Sequence, residues 1–242
     1  MRLERFRKRL RPHWYRVLEL SPVLYSAYLR KGNQQSLVAT PDTDLVVAGY
    51  PASGNTFARE AMLYSNPGLR IASHVHSWTQ VAQAVRLGLP TLLLVRDPIS
   101  AVSSVLVRFP DCKATRELKN FSRFYRRALP FVGQVVVVDF DAVTSRFGDV
   151  VHELNRRFGT NFSPFFHNDP ATTAAVFARI DDYDRSQFGD ATAVRTARPT
   201  AEKEARKDWA RQELSSNRLR ALVEQCDAVY RRVLAAADPL AR

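Results

Sequence analysis

The chain has 242 residues, 45% of them hydrophobic and 10% aromatic. That composition suits one globular domain with an appended segment, large enough to bury about 70% or more of its unfolded surface without disulfide or metal staples. A formal charge of +12 points to anionic partners, and the two distant cysteines, Cys112 and Cys226, fit no metal-ligand spacing and are expected as free thiols in a reducing compartment.

Residues 1–36 form a basic amphipathic segment. Its start, MRLERFRKRLRP, holds six basic residues against the single Glu4. The following WYRVLELSPVLYSAYL is interrupted by Arg16, Glu19 and Pro22, so no membrane span is expected. A clean apolar region and small-residue cleavage site are missing, so no signal peptide is expected either. A solvated basic helix on a cytoplasmic protein is the expectation. The alternative is peripheral membrane contact through Trp14, Tyr15, Leu18 and the arginines.

Residues 37–242 carry the pattern of an α/β domain. After a connecting loop, LVVAGY (45–50) is a short β-branched run suited to a buried parallel strand. NTFAREAMLYS (55–65) has helical spacing and stops at Asn66, Pro67 and Gly68. An extended piece at 69–77 and a helix at 78–88 follow, then a second strong strand at 90–98 and a helix at 99–109. A basic stretch, 113–129, leads to a strand in QVVVVDF (134–140) and a helix at 148–159. Beyond Pro164 the pattern loosens, until 200–237 reads as a tail of one or two helices. Strands alternating with helices predict a three-layer α/β sandwich around a mostly parallel sheet, with ligands bound beyond the carboxyl ends of the strands.

Three stretches that carry chemistry fall at such ends. GYPASGNT (49–56) has the glycine spacing of the GxxxxGK phosphate loop of nucleoside triphosphatases, but Asn55 stands in place of its lysine. Amides of Ser53, Gly54, Asn55 and Thr56 at a helix start can hold a phosphate; the alternative is a plain strand-to-helix turn. Without the lysine, ATP hydrolysis is the weaker expectation, although Thr56 and Asp139 could serve Mg²⁺. VRDPISAVSSVL (95–106) sets Arg96 directly after a strand and Ser104 eight residues on, able to hold a second phosphate between them. SHVHS (73–77) holds His74 and His76 on one side of an extended segment.

YPASGNTF resembles the 5′-phosphosulfate loop of cytosolic-type sulfotransferases, usually YPKSGTTW, and RDPISAVSS is similar to that family's 3′-phosphate motif. FDAVTSRFGDVVHELNRRFG also resembles a later strand, turn and helix of the family, so the likeness runs from about Asp44 to Gly159. The resemblance implies a P-loop-like fold and a sulfuryl donor, 3′-phosphoadenosine-5′-phosphosulfate, used without a metal. It implies that Ser53, Gly54, Asn55 and Thr56 hold the 5′-phosphosulfate, and that Phe57 stacks on adenine or else faces the core. Arg96 and Ser104 would hold the 3′-phosphate. A late basic contact would come from Arg195, Arg198 or Lys203, and Arg198 is carried forward. His74 would be the general base, with His76 as the alternative, since an imidazole pKa near 6.5 suits proton abstraction at neutral pH.

Two lysines of the family pattern are replaced, by Ala52 in the loop and by Ala72 two residues before His74. Arg59, Arg108 and Lys113 are the residues considered able to replace the lost loop charge. The expected acceptor is a small-molecule or glycan hydroxyl, and no specific nucleic-acid partner is expected. The competing expectations are a degenerate P-loop kinase or NTPase and a non-catalytic module that binds nucleotide or polyanion.

Overall fold

The computed structural model describes residues 38–167, 169–188 and 196–237. The basic segment 1–36 therefore lies wholly outside the described residues, and so does Arg195. Four strands, β1 (Leu45–Gly49), β2 (Ile71–Ser73), β3 (Thr91–Val95) and β4 (Val136–Asp139), form one sheet in the order β2-β1-β3-β4. Every pairing is parallel, with Val47 opposite Ser73 and Leu92, and Val95 opposite Asp139.

Alternation along the strands divides the core into two. Val46, Ala48, Leu93, Val95 and Val137 face one side. There they meet α2 (Trp78–Arg86), α3 (Pro98–Arg108), α4 (Ala114–Ala128), α8 (Ala201–Leu214) and α9 (Arg220–Ala235). Leu45, Val47, Leu92, Leu94, Val136 and Val138 face the other side. Their partners are α1 (Asn55–Ser65), α5 (Phe140–Ser145), α6 (Phe147–Phe158) and α7 (Pro170–Phe188). With both faces covered, the strands need unbroken apolar sequences, which is why they stand out in the chain. The expected α/β architecture with a parallel sheet is thus the observed one.

Two segments are more regular than their sequence pattern indicates. The basic stretch is helix α4, which buries Leu118, Phe121, Phe124, Tyr125 and Ala128 while its arginines stay outward. The loosely patterned region after Pro164 contains the 19-residue helix α7. Among the described residues no helix is long and apolar enough to cross a membrane. Cys112 and Cys226 are free thiols, as expected.

Tyr125 connects this core to the first strand end. Its hydroxyl donates to Leu94 O of β3 at 2.8 Å and lies 3.4 Å from Tyr50 N and from Ser53 Oγ. Burial pushes the phenol pKa up, so the group stays protonated and able to donate. Tyr125→Phe leaves the strand carbonyl and the loop amide without this partner, and an unsatisfied buried group costs about 1–3 kcal/mol. We expect urea unfolding of Tyr125→Phe to show that loss, whereas an unchanged midpoint would remove Tyr125 as the brace.

Candidate functional site

The site is built at the carboxyl ends of β1, β2 and β3. Gly49 closes β1 so tightly that an added Cβ would lie 2.8 Å from Leu94 O and 2.9 Å from Asn55 Oδ1, so only glycine fits. The chain then reverses through 50–54. Ser53 N bonds Tyr50 O at 3.3 Å, and Asn55 Nδ2 donates to the same carbonyl at 3.0 Å. Ala52 and Gly54 both take positive φ, 63° and 92°.

The Ser53 hydroxyl meets Tyr125 and the Asn55 Nδ2 meets Tyr50 O, so both groups turn inward, while the buried Asn55 Oδ1 has no partner among the described residues. Ser53 is fully buried and Asn55 nearly so. What the loop offers outward is its amides and the start of α1. Each strand is followed by a helix, and three of those helices carry a side-chain cap: Ser77 on α2, Asp97 on α3 and Asp139 on α5. Helix α1 alone of the four begins at a glycine, without a side-chain capping oxygen. Its first amides and the positive end of its dipole are left for an external anion.

His74 meets this loop directly. Its Nε2 lies 3.1 Å from Thr56 Oγ1, and its Nδ1 lies 2.8 Å from Ser73 Oγ. Burial lowers its pKa well below the ordinary 6.5, and the nearby His76, Arg59 and Arg108 lower it further. The ring is thus neutral at neutral pH, with one nitrogen donating and the other accepting. His76 plays a different part. Its Nδ1 donates to Gly49 O at 2.9 Å, which ties the β2 end to the β1 end. Both histidines take positive φ, 62° and 50°. Such conformations cost about 1–3 kcal/mol each for a residue with a Cβ, and here they collect at one sheet edge.

Arg96 reaches across from β3. Its Nη1 donates to Ala52 O at 2.8 Å, and its guanidinium lies 3.7 Å from the centre of the Phe140 ring. A cation therefore stands at Ala52, supplied by Arg96 rather than by Arg59, Arg108 or Lys113. Ser104 is buried in α3 and donates to Ser100 O at 2.8 Å, so Arg96 and Ser104 are engaged separately. Arg198 pairs with Asp181 at 3.0 Å. Lys203 donates to Thr196 O at 2.9 Å and Arg198 O at 3.2 Å, holding the 196–198 segment. Its pKa is pushed down to about 8, by burial first and then by Arg108, Lys207 and Arg96, which marks a shared positive field.

Phe57 packs with Phe147, Phe165 and Phe177, and the His167 imidazole lies parallel to it at 5.4 Å. That is the core-facing alternative for this residue. Sequence reasoning missed α7, which covers the site. Tyr183 lies 4.9 Å from the His74 ring, and the fully buried Asp184 accepts from Arg108 at 2.6 Å and from Ala197 N at 2.5 Å. Arg108 and Asp184 are 76 positions apart, so no local pattern joins them.

Compared with protein-family models, with curated proteins and with solved structures, the chain finds no match.

Both site histidines have folded-state pKa values below the ordinary one. The unfolded chain then binds more protons below about pH 6.5, so their contribution is full above that value and is lost as pH falls through the folded pKa. We expect the urea midpoint to drop between about pH 7.5 and 5.5, and His74→Asn to flatten that drop, since Asn tolerates positive φ. An equally steep drop in the variant would place the pH dependence elsewhere.

Proposed function

We propose that this chain is a sulfotransferase, moving a sulfuryl group from 3′-phosphoadenosine-5′-phosphosulfate to an acceptor hydroxyl. The observation that carries this is the hydrogen bond between Thr56 of the uncapped loop and His74, which puts an anion-binding backbone and a neutral base at one point. The resemblance of YPASGNTF and RDPISAVSS to the family's two phosphate motifs adds to it, and with it the P-loop-like character of the fold.

In this account the amides of Gly54, Asn55 and Thr56 hold the 5′-phosphosulfate, the Ser53 amide being taken by Tyr50 O. The acceptor oxygen attacks sulfur in line while its proton passes to His74. A new O–S bond forms as the bond from sulfur to the bridging phosphate oxygen breaks. The electron pair stays on that oxygen, and adenosine 3′,5′-bisphosphate leaves. Donors placed where charge develops are worth about 3–4 kcal/mol each in such sites. Arg96 at Ala52 O supplies the cation that the family's loop lysine would supply. A sulfuryl group carries less negative charge than a phosphoryl group, so amides and one cation suffice without a metal. Lys203, whose charge is felt with those of Arg108 and Arg96, and Arg198, whose carbonyl it holds, are the late basic contacts of this scheme.

A Mg²⁺-dependent kinase fits less well. Asp139, its metal-binding candidate, accepts from Ala142 N at 2.7 Å as the cap of α5, and it ends β4, which is separated from β1 by β3.

Calorimetry tests the proposal. Adenosine 3′,5′-bisphosphate should bind without Mg²⁺, and His74→Asn should keep that affinity while turnover falls at least about 100-fold. Binding of ATP only with Mg²⁺, and none of the bisphosphate, would overturn it.

A further inference from the structure

Glu60, in α1, is only 3% exposed and accepts from two arginines, Arg59 through Nη1 and Arg179 through Nε at 3.1 Å. One carboxylate balances one guanidinium, so a positive charge is left in surplus. Arg59 Nε is buried and donates to nothing among the described residues. A buried charged donor without an acceptor is unfavourable unless something arrives to accept from it. The Arg59 guanidinium lies 5.2 Å from the centre of the Tyr183 ring, and that ring lies 4.9 Å from His74. Arg59 stands three positions after Thr56 in α1, Tyr183 comes from α7 and His74 follows β2. Three elements thus bring a surplus cation, an aromatic wall and the proposed base together.

Arg96, not Arg59, is the cation on the loop carbonyl. The acidic partners near His74 and Arg59 are Glu60 and Asp184, and Asp184 is already committed to Arg108 and Ala197 N. We propose that the acceptor is an anionic hydroxyl compound, a hydroxylated acid whose carboxylate is held by Arg59 while its hydroxyl meets His74. This rests on the sulfotransferase proposal and names its substrate class. The surplus charge also offsets the repulsion between such an acceptor and the anionic donor, which a neutral alcohol would not need.

The test is a panel of hydroxylated aryl and sugar acids, each paired with its neutral primary amide. Affinity is measured by calorimetry with adenosine 3′,5′-bisphosphate bound. At least one acid should bind at least about tenfold more tightly than its amide. Arg59→Gln should abolish that preference and leave the bisphosphate affinity within about twofold, and Arg59→Lys should keep part of it. If the bisphosphate binds but no acid outperforms its amide, this inference is wrong and the sulfotransferase proposal stands. The wild-type comparison decides this even if Arg59→Gln does not fold. A preference that survives in Arg59→Gln overturns the assignment to Arg59, and an equal loss of bisphosphate affinity transfers Arg59 to the donor. Failure of the bisphosphate itself to bind overturns both.

Discussion

Parallel pairing of β1 with β3 sets two chain reversals side by side, and the backbone of 50–53 then has no strand to bond. Buried backbone groups cannot stay unpaired, so side chains must take them up. Asn55 accepts that task at Tyr50 O, Tyr125 at Tyr50 N and Arg96 at Ala52 O. The same constraint that shapes the loop therefore draws a cation to it and turns its polar side chains inward. Its remaining amides and the uncapped α1 start are the groups left to face a ligand.

The histidine pair extends the same logic to the next strand end. His76 closes β2 against β1 through Gly49 O, which fixes the backbone from which His74 projects. Ser73 and Thr56 then hold both nitrogens of His74, so its hydroxyl neighbours orient in opposite senses around one neutral ring. Burial and two guanidiniums keep that ring unprotonated, which is the state a base requires. The left-handed backbone at Ala52, His74 and His76 is the conformational cost of bringing these groups to one edge.

The strands were legible because burial on both faces forces unbroken apolar runs such as LLLV, and most helix limits followed from proline, glycine and capping residues. The loop, His74 and Arg96 were legible as positions at strand ends. Their partners were not. The aromatic face of α4 was obscured by its arginines, since Phe121, Phe124 and Tyr125 are interleaved with Arg123, Arg126 and Arg127. Helix α7 escaped because, among its described side chains, the buried apolar ones are Val176 and Ile180, too few to make a clear stripe. Its contribution is instead polar and long-range, through Asp184 to Arg108 and Arg179 to Glu60. Phe57 was placed correctly on its helix, but its environment of Phe147, Phe165 and Phe177 depends on tertiary packing that spacing alone does not reveal.

The central claim is that the 50–56 loop, His74 and Arg96 form one donor site. A crystal structure with adenosine 3′,5′-bisphosphate bound tests it most directly. The account predicts the 5′-phosphate on the amides of 54–56, with Arg96 beside it at Ala52 and His74 facing the position the sulfuryl group would occupy. A bisphosphate seated away from this strand edge, or a His74 ring screened from that phosphate, would contradict it.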